Sequence, residues 1–278
     1  MPELPEVEIA ARNLRAWGVG ARVTALEIHD PRVVGAATDP RGHGSAARLT
    51  SGLVGRRIDE VTRRGKWLRL RLDDGARLFS HLGMTGKWVR RAIDAPTERF
   101  ERARVVLVRE GEQRSLRYRD PRLFGRLVLA REDLSAWRAL GPDPLVDGID
   151  VARLATALAG ARRSIKEALM DQAVLAGLGN IQATEALWLA RIDPRRRAGE
   201  LSRAQLGAVA RAIEASLRRT LDAERAEEIT YVEEVGADNP FLVYGRHGAP
   251  CPRCRGTLER FVLGGRGTFA CRRCQRGG

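Results

Sequence analysis

All four cysteines of the chain stand near its C-terminus, in the pattern Cys251-x2-Cys254-x16-Cys271-x2-Cys274. This spacing constrains the fold more than any other feature. Each Cys-x2-Cys pair can present two sulfurs from one tight knuckle, and two such pairs supply a closed tetrahedral zinc site. The alternative is two disulfides, which belong to an oxidising compartment. With sulfur filling every ligand position, the single Zn2+ is structural and leaves no coordination site for catalysis. Leu258, Phe261, Val262 and Phe269 between the pairs suit a β-hairpin, and Gly264-Gly265-Arg266-Gly267 would put Arg266 at its tip. The last 33 residues hold eight arginines against one carboxylate, Glu259. Half of the chain's net charge of +14 lies there.

That charge, with an isoelectric point near 10.9, points to a polyanionic partner. Arginine dominates the basic set, and its planar fork favours phosphate and base contacts over diffuse attraction. A membrane is a poor fit. No apolar run reaches 18 residues, and no basic amphipathic helix carries bulky apolar anchors. The acidic, proline-bearing start is unlike a signal peptide. A cytoplasmic, nucleoid-associated protein of bacterial type is expected.

Periodicity divides the 278 residues. Residues 5–17 read as a helix with Ile9, Ala10, Leu14 and Trp17 on one face, ended by Gly18 and Gly20. Residues 21–130 read as short strands: Val23–Ile28, Trp67–Leu72, Val105–Val108 and Leu127–Leu129, with turn signals such as Asp73-Asp74-Gly75. A two-sheet sandwich or barrel fits that spacing. Gly141-Pro142-Asp143-Pro144 reads as a linker, and residues 150–225 turn helical.

The opening Met1-Pro2-Glu3-Leu4-Pro5-Glu6-Val7-Glu8 admits two readings. Proline and glutamate suit the first turn of a helix. Alternatively, removal of Met1 exposes the Pro2 amine, which is substantially neutral near pH 7–8 and can form an imine with an electrophilic carbon.

Several separated motifs coincide with the second reading. The octet, Arg63-Arg64-Gly65-Lys66-Trp67-Leu68, His81-Leu82-Gly83-Met84-Thr85-Gly86 and Asp120-Pro121-Arg122-Leu123-Phe124-Gly125 stand in that order. Leu169-Met170-Asp171-Gln172, Gly177-Leu178-Gly179-Asn180-Ile181 and Val243-Tyr244-Gly245-Arg246 follow, ahead of the cysteines. In this order they resemble the formamidopyrimidine-DNA glycosylases over essentially the whole chain. The resemblance implies a multidomain α+β fold. Residues 1–133 would be an N-terminal catalytic helix and β-sandwich, 134–149 a linker, 150–242 a helix–two-turns–helix domain and 243–278 the zinc finger.

It also implies a bifunctional glycosylase and apurinic-site lyase that excises damaged purines from double-stranded DNA, acting as a monomer. By motif match, Pro2 is the nucleophile and Glu3 the acid that assists sugar ring opening. Lys66 acts at the scissile region, and Arg266 binds its phosphates. Arginine hardly deprotonates, which favours plain phosphate binding for Arg266. Glu6 would support the site through hydrogen bonds, or simply be a helix-start carboxylate. A nucleotide flipped out of the stack leaves a hole, which Met84, Arg122 and Phe124 would fill. From sequence alone, Met84 and Phe124 could equally be core residues. Arg162, Lys166 and Asn180 would bind DNA, Asn180 as the cap of a helix whose free N–H groups hold a phosphate. His81 would bond phosphate or brace its loop.

The chain departs from the family pattern at several positions. Leu123 stands where a second arginine is usual, Gln182 where a tyrosine is usual, and His247 where a lysine is usual. Arg102 and Arg104 are the nearest equivalents of usual histidines. Segment 233–242 is about four residues shorter than the family's base-covering loop. The shorter segment predicts a weaker preference for 8-oxoguanine relative to ring-opened or alkylated purines. Two alternatives remain: a relative specialised for bulky alkylated bases or oxidised pyrimidines, and a non-catalytic DNA-damage binder.

Overall fold

The computed structural model describes residues 2–223, 228–232, 234 and 236–276. Met1, Glu233 and Val235, on which parts of the reading above rest, lie outside them. The chain forms two compact units, Met1–Pro2 with Glu6–Arg138 and Ala226–Val235, and Glu3–Pro5 with Ala139–Arg225 and Gly236–Gly278.

In the first unit, helix α1 (Leu4–Gly18) buries Ile9, Ala10, Leu14 and Trp17, the face read from the 3.6-residue period. Eight strands follow: β1 (Arg22–Ile28), β2 (Ile58–Arg64), β3 (Trp67–Leu72), β4 (Arg77–His81), β5 (Lys87–Arg91), β6 (Glu101–Arg109), β7 (Glu112–Arg119) and β8 (Arg126–Ala130). They make two antiparallel four-stranded sheets, ordered β1-β6-β7-β5 and β2-β3-β4-β8. Val23, Val105, Leu116 and Trp88 of the first sheet meet Ile58, Leu70, Leu72 and Leu78 of the second around one small apolar void. The expected sandwich is therefore present. Helix α2 (Ala46–Leu53), capped by Ser45, interrupts the stretch read as strands. With only Leu49 and Leu53 buried, its eight residues carry little periodic signal. A short α3 (Ser135–Arg138) packs Trp137 against Phe79 and closes the unit.

The second unit holds α4 (Val151–Leu158), α5 (Ile165–Leu169), α6 (Asn180–Leu189) and α7 (Arg203–Ala223). Leu154, Leu158, Ile165, Leu169, Leu187, Leu206, Ile213 and Leu217 form its core, joined by Leu4. Ser164 and Glu167 form a capping box at α5. Gln172 closes the two turns between α5 and α6: its amide donates to Met170 O and Leu178 O and accepts from Gly177 N–H. The segment Gly141–Pro142, read as a linker, hydrogen-bonds to Gln172 O and Ala176 N–H. The finger adds the hairpin β9 (Glu259–Leu263) and β10 (Arg266–Ala270), with Arg266 exposed at its turn. Among the described residues, no helix is long and apolar enough to cross a membrane.

Candidate active site and nucleic-acid interface

Pro2 is buried and stands two residues before the start of α1. The next residue, Glu3, is fully buried, and its carboxylate accepts the backbone N–H groups of Gly179, Ile181 and Gln182 at 3.1, 2.8 and 2.9 Å. The start of a helix leaves N–H groups unsatisfied and favours negative charge. Glu3, from the opposite end of the chain, meets both demands of α6. Gly179 is needed for this approach, because a Cβ there would lie 2.4 Å from the Glu3 carboxyl carbon.

This arrangement corrects the reading of Asn180. It is the first residue of α6 rather than its cap, and its side chain makes no cap bond. The N–H groups of Gly179, Ile181 and Gln182 are not open to a phosphate, since Glu3 holds them. The Asn180 Nδ2 donates instead to Gly267 O at 3.0 Å, while its Oδ1 is buried without a protein partner.

Lys166 reaches the same hairpin. It is 1 % exposed, and its Nζ donates to Thr268 Oγ1 at 2.6 Å and to Gly267 O at 3.4 Å. Burial, opposed by Glu3 and reinforced by Arg266, lowers its pKa to about 8. Lys166 and Asn180 thus hold the backbone beside exposed Arg266. Arg162 is exposed, whereas its neighbour Arg163 pairs with Asp171.

In the first unit, the turn Gly65-Lys66 joins β2 to β3. Arg63 anchors this hairpin to α1, donating to Glu8 at 2.8 Å and to Gly65 O at 3.2 Å. Burial opposes ionisation of Glu8, but Arg63, Arg15 and Arg12 hold its carboxyl below the usual range. Glu6 is half-buried. Burial and then the Glu6 carboxylate push the Tyr231 hydroxyl pKa well above its ordinary value, which places Glu6 near Tyr231.

His81 ends β4. Its Nδ1 accepts the Gly83 N–H at 3.0 Å, so the proton of the neutral ring lies on Nε2. Burial, with the charges of Lys66 and Arg126, lowers its pKa to about 4. The ring therefore braces its loop and carries no positive charge at neutral pH.

Two turns project beside it. Gly83 has φ +64°, and a Cβ on it would lie 2.4 Å from the Phe124 carbonyl carbon, so the Met84 turn packs directly on the backbone of the other. Asp120 joins them, accepting from Thr85 Oγ1 at 2.6 Å, Arg122 N–H at 3.2 Å and Gly125 N–H at 2.7 Å. Phe124 is 51 % exposed, which removes the core reading for it, and the Arg122 guanidinium lies 5.0 Å from its ring centre. Met84 is partly exposed. Leu123 adopts φ +56° between them, and Arg126 donates to the carbonyls of Leu123 and Gly125.

The other departures have structural explanations. Arg102 pairs with Asp30, and Arg104 with Glu101. Gln182 is buried and links α6 to Ser216 and Thr220 of α7. His247 is exposed. Sequence reasoning missed Glu185, whose buried carboxylate accepts the N–H groups of Leu242, Val243 and Tyr244, each at 2.8 Å, and fixes the entry to the finger. A lone buried glutamate in an apolar helix was the available signal.

The four cysteine sulfurs lie within 4.8 Å of one another. Cys254 and Cys271 are 3.4 Å apart and Cys251 and Cys274 3.9 Å, far beyond a disulfide bond of about 2.05 Å. A tetrahedral ZnS4 centre has sulfur–sulfur edges of about 3.8 Å. The donor set and its geometry fit one structural zinc. Trp188, Val243 and Leu258 pack around Cys251 and Cys271.

The chain matches three family models: the formamidopyrimidine-DNA glycosylase N-terminal domain over residues 1–127, its H2TH domain over 140–231, and the zinc finger found in FPG and IleRS over 248–277. It is 40% identical to the formamidopyrimidine-DNA glycosylase of Roseiflexus sp. (strain RS-1) and 38% identical to that of Herpetosiphon aurantiacus, covering 99% of this chain and 100% of each relative. Among solved structures it resembles MutM in complex with DNA containing carbocyclic 8-oxo-G, with a TM-score of 0.86 and 31% identity. It also resembles Lactococcus lactis formamidopyrimidine-DNA glycosylase bound non-covalently to DNA containing an AP site, with a TM-score of 0.84 and 30% identity. Both comparisons cover 99% of this chain and 100% of the other.

Proposed function

Because the chain belongs to the formamidopyrimidine-DNA glycosylase family, we propose that it is a base-excision-repair enzyme that removes damaged purines from duplex DNA and then cuts the abasic strand. The observation that carries this reading is the placement of Glu3. Three backbone donors fix its carboxylate at the residue next to Pro2. An N-terminal amine held beside a positioned carboxyl group is what imine chemistry at a sugar requires.

In the proposed sequence the target nucleotide leaves the stack, because C1′ is hidden inside the duplex. The Pro2 nitrogen forms a bond to C1′, and the base departs with the glycosidic electron pair. The Glu3 carboxylate takes the proton that attack leaves on the Pro2 nitrogen and passes it to O4′ as the sugar ring opens, leaving an iminium ion. The iminium withdraws electrons and acidifies the C2′ proton. Loss of that proton expels the 3′ phosphate, and a second elimination expels the 5′ phosphate. Water then releases Pro2. Lys66 assists at the scissile region, and Glu6 supports the site.

Met84, Arg122 and Phe124 form the wedge that fills the vacated stack. Arg162, Arg266 and the neutral His81 Nε2–H serve the phosphates, while Lys166 and Asn180 hold the hairpin backbone that presents Arg266. Residues 1–133 carry the chemistry, 134–149 connect, 150–242 form the helical DNA-binding part and 243–278 the finger. The protein works as a monomer on nucleoid DNA in the cytoplasm. The short segment 233–242 favours formamidopyrimidines over 8-oxoguanine.

Borohydride reduction during reaction with a panel of damaged duplexes tests this reading. A covalent adduct mapped to Pro2 is expected, with mass spectrometry showing Met1 removed. No adduct on any lesion would leave a damage-binding protein, and faster excision of 8-oxoguanine than of formamidopyrimidines would overturn the substrate order.

A further inference from the structure

Ile229 lies 142 positions beyond Lys87 of β5, yet residues 228–232 and 234 belong to the first unit. Lys87, at the start of β5, is 9 % exposed and directs its ammonium entirely at this segment. The Nζ donates to Ile229 O at 3.0 Å and to both Glu234 oxygens at 3.1 and 3.2 Å, and lies 3.5 Å from Glu228. Arg91 and Arg119 also pair with Glu228, at 2.8 and 3.2 Å. Tyr231, 4 % exposed, sits beneath this cluster, its ring centre 5.7 Å from the Lys87 Nζ. Its hydroxyl donates to Gly86 O at 2.5 Å.

Gly86 closes the turn that carries Met84, its N–H bonded to Leu82 O. That turn is held at three points. His81 receives Gly83 N–H, Asp120 receives the Thr85 hydroxyl, and Tyr231 donates to Gly86. The first comes from neighbouring chain and the second from 35 residues further on. The third comes from a segment tied to the buried Lys87 ammonium through Ile229 O and through Glu228 and Glu234, whose side chains remain 36 % and 39 % exposed.

We propose that Tyr231 and Lys87 are positioning residues for the Met84 wedge. Residues 228–232 and 234 set where that turn stands, and so how readily a base is flipped, without entering the chemistry at C1′. This rests on the wedge assignment above. A hydroxyl that orients the turn affects only substrates whose base must leave a stack.

The test compares single-turnover excision from a formamidopyrimidine duplex with borohydride trapping on a single-stranded abasic oligonucleotide, which needs no wedge. Tyr231→Phe is expected to slow duplex excision about tenfold, the size of one lost buried hydrogen bond, and to leave single-strand trapping within about twofold. In a Met84→Ala background the same change should add less than about twofold, because coupled residues are non-additive. Lys87→Met should reproduce the defect and Lys87→Arg should largely restore it. Equal losses on both substrates, a full Tyr231→Phe effect without Met84, or an unaffected duplex rate would each overturn the proposal. Failure of the unsubstituted protein to trap on either substrate would instead overturn the enzymatic reading.

Discussion

The Glu3 carboxylate and the Ile181 backbone N–H meet at 2.8 Å across 178 positions of sequence. One bond of this kind joins the segment that carries the proposed nucleophile to the start of the buried helix α6. Two further donors, on Gly179 and Gln182, leave the carboxylate little freedom to rotate. Glu3 therefore caps α6 in addition to the part proposed for it in the chemistry.

Glu3→Gln separates those tasks only in part. An amide presents N–H to at least one backbone donor and forfeits the negative charge at the helix start. The expected loss of stability is about 1–3 kcal/mol. Excision should fall by about 100-fold or more, in the range for removal of a positioned acid. Chemical denaturation and single-turnover kinetics measure the two effects, and an unchanged stability would show that the three bonds do not cap α6.

The wedge variants Phe124→Ala and Met84→Ala should reduce excision from duplex DNA by about 10–100-fold, since unstacking a base step costs a few kcal/mol that the wedge offsets. Binding to undamaged duplex should keep its salt dependence, because neither side chain meets phosphate. A changed salt slope would place these residues elsewhere on the DNA.

His81 makes stability depend on pH. Its ordinary pKa of 6.5 falls to about 4 in the fold, so the unfolded chain takes up the proton first as pH drops. The contribution is intact above pH 6.5 and is lost progressively down to about 4, amounting to up to about 3 kcal/mol. The difference between wild-type and His81→Gln stability should therefore shrink over that interval. Parallel profiles would rule the mechanism out.

Removal of zinc should unfold the finger and release the hairpin that Lys166 and Asn180 hold. Cys254→Ser is expected to lose metal, weaken DNA binding about tenfold or more at physiological salt, and flatten the salt dependence. Arg266→Ala, with the finger intact, should lower that slope by about one contact. Metal analysis and binding isotherms at several salt concentrations test both.

Much of this was legible in the sequence because its signals are local. The cysteine spacing, the α1 face and β3 at Trp67–Leu72 each declare themselves within a few residues. The pairing of Glu3 with α6 does not, since a carboxylate beside Pro2 looks the same whether it meets solvent or a helix start. Asn180 was misread for that reason: a side chain suited to capping was present, but a distant one had taken the position. The burial of Lys166 was not legible either, because it depends on Thr268, 102 residues away. The attachment of 228–234 to β5 was invisible too, as Lys87 has meaning only once Glu228 and Glu234 are seen against it.

The capping of α6 by Glu3 also orders events during synthesis. The acceptor is made among the first residues, but its last donor, Gln182, emerges only after nearly two thirds of the chain. At roughly 5–20 residues per second, the N-terminal segment waits on the order of 9–36 s for its dock. Through that interval the Glu3 carboxylate has no helix start to hold it, so a chain cut short before Gly179 leaves that carboxylate free to rotate.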